Sequence, residues 1–341
     1  MNFYLFILFF SLFSCRIWSD EIFDFSQEER FLKNITQLTF PSMGFEKAGE
    51  AYFSSDGENI AFQAVPQGEK HYQIYVMKLN QKQGTPYMVS TGKGACTCPY
   101  FHPDGNKIIF ASSHEDPNLN SENKEASGYK RSNGEYSWDF TPYMNIYEAN
   151  LDGTGLKALT RGSEYHAECA YSTDGSRIVF ASNKDGAMNI FTIHAGGTNL
   201  QQVTFNDACY NGGPFFSPDG NQIIFRSDRQ RRHYLQIYVI NADGTHERQL
   251  TNNHSVNWAP YWHPSGKVIA FTTSLHGHMH YEIYGMNIES GACCRLTHHS
   301  NFDGLPAFTL DGQKMMWTSK RGADNTCQIF LADFFMPEEL N

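Results

Sequence analysis

What the sequence lacks narrows its class first. Nowhere does it hold the ~20 consecutive apolar residues of a membrane-spanning helix; the longest apolar run, Met1 to Ser14, is shorter. Positive charge is scarce, 26 Lys and Arg against 36 Asp and Glu, for a formal net charge of −10. Phosphate contacts need a cationic surface, so nucleic-acid binding is excluded. There is no G-x-S-x-G elbow, no H-E-x-x-H pair and no glycine-rich phosphate loop, so three large enzyme classes lack their motifs. No apolar period of 3.6 is sustained, which removes helical solenoids. Past residue 20 the cysteines are 96, 98, 169, 209, 293, 294 and 327. Their odd number and the C-x-C and vicinal spacings fit neither zinc sites nor a disulfide framework. Most read as small buried apolar side chains.

What is present begins with MNFYLFILFFSLFS and turns polar at Ser19-Asp20-Glu21. That length fits the apolar core of an export signal over residues 1–19, although no positive charge precedes it. Leu12-Phe13-Ser14-Cys15 resembles a bacterial lipobox, which implies lipidation of Cys15. The expected location is therefore the periplasm, or a bacterial envelope membrane held only through that lipid.

The whole chain of 341 residues is 15% aromatic and carries 28 Gly, a packed protein with many turns. It repeats itself. Tyr100-Phe101-His102-Pro103-Asp104-Gly105 followed by Ile108-Ile109-Phe110 returns as Phe215-Phe216-Ser217-Pro218-Asp219-Gly220 followed by Ile223-Ile224-Phe225. Looser copies place turn anchors at 56, 104, 174, 219, 265 and 311, separated by 48, 70, 45, 46 and 46 residues. Each unit reads as four strands. Asp-Gly marks the first hairpin, because Gly accepts positive φ and Asp tolerates it. Four strands per ~40–50 residues describe a β-propeller blade. The fourth-strand pattern occurs as Leu38-Thr39, Val89-Ser90, Leu159-Thr160, Val203-Thr204, Leu250-Thr251 and Leu296-Thr297, so one copy precedes the first blade and the last blade has none. The predicted fold is an all-β, six-bladed propeller spanning 30–335, closed by the N-terminal strand beside residues 328–333, which leaves no open sheet edge.

Units of the form S-P-D-G-x-x-I-x-F, then I-Y-x-x-x-x-D-G and x-L-T, resemble the TolB-type propeller repeats. Related repeats build the propellers of tricorn-type and prolyl-oligopeptidase-type peptidases. The resemblance covers most of the chain and implies the fold more than an activity. Residues 20–33 leave no room for the N-terminal domain that TolB carries, and about eight residues follow the last strand, too few for a hydrolase domain.

In such a ring, ligand sites cluster where the first strands begin. Counting back from each Asp-Gly, the eighth residues are Ala48, Cys96, His166, Asn211, Asn257 and Asp303; the sixth are Glu50, Cys98, Glu168, Gly213, Ala259 and Leu305. Convergence of Glu50, His166, Glu168, Asn211, Asn257 and Asp303 at the channel mouth is expected, as a set able to hold a divalent cation or sugar, or as solvated groups tied to loop backbones. Loops after the second strands add Lys184, Arg226, Arg229, Arg231, Arg232, Lys320 and Arg321, which could receive carboxylates or pair with surface acids. His276, His278 and His280 would share one side of an extended segment and offer a weak metal site. The insertion at 115–139 fails as a calcium loop, with Ser121 and Ser127 at its Gly and Glu positions; Tyr136 and Trp138 are its candidate anchors. The leading expectation is a monomeric, non-enzymatic binding scaffold without cofactor, for a protein, peptide or glycan of the envelope. The alternative is a lyase on acidic oligosaccharides with His166 as base beside Glu168. A peptidase propeller whose catalytic domain is a separate chain is a third.

Overall fold

The computed structural model describes residues 25–79, 84–119, 129–132, 135–138, 140–278 and 280–341. Residues 1–24, with the expected export segment and Cys15, lie outside them, as do the side chains of Tyr136 and Trp138. Six four-stranded antiparallel sheets are present, in the order a propeller requires. The third blade is typical: inner strand His166–Tyr171, then Arg177–Ser182, Asn189–His194 and a short outer Gln201–Gln202. Within the 115–139 insertion, Tyr129–Ser132 and Glu135–Trp138 form a two-stranded ribbon.

The second strands explain why their sequences do not alternate. Ile108, Ile109, Phe110 and Ala111 are all buried, as are Ile178, Val179, Phe180 and Ala181. Each blade is covered on both faces by its neighbours, so both sides of a strand need apolar groups. The core therefore lies between blades. Ile74, Val76 and Ala61 of the first blade pack on Phe101, Ile108, Phe110 and Tyr147 of the second.

The Asp-Gly turns differ from the expectation in one respect. Gly175 has φ +71°, whereas Asp174 is absent from the positive-φ residues. Asp acts through its side chain instead, accepting from Ser172 Oγ at 2.6 Å and the Ser176 amide at 3.0 Å. These donors hold its carboxyl down at about 2.

The closing strand Leu32–Gln37 pairs with Gln328–Phe334, Thr36 opposite Leu331 and Gln37 opposite Phe330. Thr39, fully buried, donates to Gln328 Oε1 at 2.7 Å and accepts from the Ile329 amide at 2.9 Å. The same bond, from a backbone amide to the hydroxyl oxygen, recurs at Ser90, Thr160, Thr204, Thr251 and Thr297. The Leu-Thr pattern thus locks each outer strand, and in the last blade it locks the ring.

Candidate functional site

The inner strands line the channel, and each carries a bulge. Register slips between Ala167 and Ala170, Gly212 and Phe215, Trp258 and Tyr261, Gly304 and Ala307, Thr97 and Tyr100, and Gly49 and Ala51. The extra residue is left-handed at the sixth position upstream of the turn: Glu50 φ 46°, Cys98 54°, Glu168 58°, Gly213 58°, Ala259 48° and Leu305 59°. A bulge reverses which way the preceding residues face. The six bulge residues therefore line one cavity of about 550 Å³ on the channel axis. Four positions upstream of the turn, Tyr52, Tyr100, Phe215 and Tyr261 meet with ring centroids 5.0–6.0 Å apart, and Tyr52, Phe215 and Tyr261 form its floor. The corresponding residues of the other two blades, Ala170 and Ala307, leave space for these rings. Tyr165, Trp258, Phe302 and Phe140 form the walls, and Lys47, Lys70 and His71 also line the cavity.

One side of the cavity is an ionic lock. Arg226 Nη2 donates to Glu168 Oε1 at 3.0 Å and to the Tyr210 hydroxyl at 2.7 Å. Tyr210 donates in turn to Glu168 at 2.8 Å, and the Gly213 amide closes the carboxylate's shell. Two glycines make this possible. A Cβ on Gly213 would stand 2.1 Å from Arg226 Nη1, and one on Gly212 would stand 2.1 Å from the Tyr210 oxygen. Glu50 is held less firmly, with the Tyr52 hydroxyl at 3.4 Å. Burial pushes its carboxyl up, and the charge of Glu168 adds to that.

The eighth-position residues do not join this cavity, apart from the two small ones, Ala48 and Cys96. His166, Asn211, Asn257 and Asp303 are buried within the blades. His166 Nδ1 lies 2.8 Å from Ser182 Oγ, and burial holds its imidazole below the usual range. Asn211 donates to Asn189 and accepts from Arg229 Nη2 at 2.8 Å. Asn257 bonds Gln236, Asn253 and Thr273. Asp303 accepts from Trp317 Nε1 at 3.0 Å and Arg321 at 2.6 Å. The convergence expected for the whole set thus holds only for Glu50 and Glu168, joined by Arg226, because the bulge falls between the two positions.

Of the other loop cations, Arg229 and Arg321 are tied to acids of the molecule itself. Arg229 pairs with Glu247 and lies over Tyr238. Arg321 makes two bonds to Glu28, at 2.7 and 3.0 Å, besides that to Asp303. Lys184 pairs with Asp185, and Arg231 lies over Tyr234. The three histidines of 276–280 sit in a turn and separate: His276 meets the Tyr284 hydroxyl, His278 the Tyr281 hydroxyl and His280 the Ser300 carbonyl. They do not share one strand face as expected. Among the described residues no group of three His, Cys, Asp or Glu is placed to hold a metal ion.

Sequence reasoning missed Tyr52, Tyr165, Tyr210, Trp258 and Gly213. The signal for Tyr52 was available, since an aromatic residue recurs four positions before the turn in four of the six units. Tyr210 and Gly213 had no such signal, because their partner Glu168 lies in the neighbouring blade.

By fold the chain is a six-bladed β-propeller sealed by a strand from its N-terminal side. The resemblance to TolB read from the repeat is found again by comparison. The Tol-Pal system protein TolB of Francisella tularensis is 26% identical over 118 residues, 33% of this chain and 27% of the relative. The chain thus matches about a quarter of that relative's length. No protein-family model matches. Among solved structures, TolB from Acinetobacter baumannii superposes with TM-score 0.59 at 19% identity, over 82% of this chain and 65% of that one. An oligogalacturonate lyase from Vibrio parahaemolyticus superposes with TM-score 0.54 at 14% identity, over 90% and 94%. Likeness at this identity is likeness of fold.

Proposed function

We propose that the chain is an exported, TolB-like envelope propeller that acts by binding a segment of a partner polypeptide in its channel cavity. The observation that carries this reading is the cavity itself, about 550 Å³, floored by Tyr52, Phe215 and Tyr261 and walled by Tyr165, Trp258 and Phe302. Concave, aromatic-lined sites with a few placed polar groups are typical binding sites, and aromatic anchors dominate peptide interfaces. Export is supported by the apolar segment 1–14, and attachment through Cys15 by its lipobox-like context. The reading needs no cofactor.

Catalysis on acidic oligosaccharides fits less well. The base such a lyase would use, His166, bonds Ser182 inside its blade. The cavity also sets two carboxylates against the guanidinium of Arg226, and Arg229 and Arg321 already hold acids. None of these three arginines is left to receive a sugar carboxylate.

The test is capture of an envelope partner by the tagged chain, compared with Leu305→Trp, which fills the cavity from a lining position. Loss of that partner in the variant, with an unchanged melting temperature, is the expected result. Undiminished capture by Leu305→Trp would refute binding at the channel. Fractionation of cells expressing the full chain, with and without Cys15→Ala, tests export and lipid attachment separately.

A further inference from the structure

We infer that the partner's segment is held at two points, one apolar side chain in the channel cavity and a second, two residues along the same strand, in a recess beyond Phe140; this deepens the binding reading and rests on it. The recess, about 370 Å³, lies between the third and fourth blades. Three stretches of chain build it: 186–188, between the second and third strands of the third blade; 207–210, leading into the inner strand of the fourth; and 228–235, between the second and third strands of the fourth. Loops of the same two kinds line the channel cavity at Lys70 and Ala95. Both openings are therefore reached from one face of the ring.

A single ring separates the two spaces. Among the described residues Phe140 alone lines both. It lies nearly parallel to Tyr210, with centroids 6.0 Å apart, and edge-on to Tyr165 at 5.3 Å, and is still 38% exposed. Tyr210 also lines the recess, while its hydroxyl belongs to the lock of Glu168 and Arg226, so charge-assisted bonds fix the partition from behind. Groups in contact with opposite sides of one ring stand about 7–8 Å apart. Alternate residues of an extended strand are ~6.6–6.8 Å apart and share a face, whereas adjacent ones point to opposite faces. The two spaces thus match positions i and i+2 of an extended segment.

The recess is apolar beneath and polar at its rim. Met188 and Leu235 are its buried lining. Asp228 is taken up in shaping the loops, its carboxylate accepting the Tyr210 amide at 2.8 Å and the His233 amide at 3.1 Å. Asp207 and Arg232 are exposed at the rim, and neither side chain makes an ion pair or hydrogen bond among the described residues. A carboxylate and a guanidinium together complement a peptide backbone, whose N–H donates to the one and whose C=O accepts from the other. A polymer carrying charge of one sign matches only one of them. Phe205, at 77% the most exposed of the large apolar side chains described, stands two residues before Asp207. Exposed apolar groups gathered beside a polar rim mark an interaction surface.

The probes are three capped tripeptides: phenylalanine at both ends with serine between, phenylalanine at one end and serine elsewhere, and two adjacent phenylalanines followed by serine. Each is titrated into the full chain by calorimetry. Burial of a second ring predicts that the alternating peptide binds about ten- to a hundredfold tighter than the other two. Ala208→Trp fills the recess from an exposed lining position. It should bring the alternating peptide down to the single-ring one, whose ring takes the larger cavity and whose affinity should not change. Phe140→Ala should abolish the preference for alternate over adjacent rings. Equal affinities for the three peptides, or an advantage of the alternating one that survives Ala208→Trp, overturn the second subsite while leaving channel binding intact. Failure of every tripeptide also overturns the second subsite. The partner-capture experiment with Leu305→Trp decides the broader reading independently.

Discussion

The ring closes through one buried hydroxyl, and Thr39→Val tests whether that closure depends on it. The substitution preserves shape and removes two bonds, to Gln328 Oε1 at 2.7 Å and from the Ile329 amide at 2.9 Å. Each such bond contributes about 1 kcal/mol net, and an amide left unsatisfied in a buried site costs about 1–3 kcal/mol. A loss near 3 kcal/mol is expected. With an unfolding entropy of ~2.1 cal/mol/K per residue over roughly 300 residues, the melting temperature should fall by about 5 °C. Thr204→Val is the control, because Thr204 makes the equivalent bonds to Asn189 and the Ile190 amide within one continuous blade. Calorimetry should show similar losses for both variants. Hydrogen exchange should separate them: amides of residues 36–38 lose protection only in Thr39→Val, since that strand is joined to its blade across 289 residues of chain rather than by a short loop. Unchanged protection of residues 36–38 in Thr39→Val would refute the claim that this hydroxyl secures the ring.

Four further outcomes are expected. Arg226→Met should cost about 3–5 kcal/mol in denaturant unfolding, because it strands the Glu168 carboxylate at a site where its side chain is 13% exposed. Gly213→Ala should cost about 2–4 kcal/mol through strain at φ +58° and collision with Arg226, and less in an Arg226→Ala background, where the collision is gone; additive costs would argue against the contact. Burial alone would raise the Glu28 carboxyl, but the bonds and charge of Arg321 and the His298 amide outweigh it and hold it low. Its contribution is then present above the unfolded carboxyl value of ~4.3 and lost as pH falls through the lower folded value. Glu28→Gln should destabilise the protein at pH 7 by about 2–4 kcal/mol, with the difference shrinking below pH ~4 in melts across that range. Alkylation by iodoacetamide at pH 7.5 should reach only Cys293 of the described cysteines, and slowly. Cys293 is the exposed one, and burial of its sulfur still holds the thiol at about 11; rapid modification of Cys98 or Cys169 would contradict their burial.

Local chemistry determined much of this protein from sequence alone. Asp-Gly turns, unbroken apolar second strands and Leu-Thr outer strands each act over a few residues, so their repetition reads directly as six similar sheets. The orphan Leu38-Thr39, with a final blade lacking its own copy, even specified how the ring closes. What tertiary structure alone decided was the direction of the inner strands' side chains. A period-two count places the eighth and sixth positions on one face. The bulge at Glu50, Glu168 and their counterparts breaks that count, sending His166, Asn211, Asn257 and Asp303 into the blades and leaving the acids at the cavity. Nor could spacing pair Glu168 with Arg226, 58 residues apart, or show that Gly212 and Gly213 matter for the atoms they leave room for. Those contacts join different blades, and adjacency between blades is a property of the closed ring rather than of any stretch of chain.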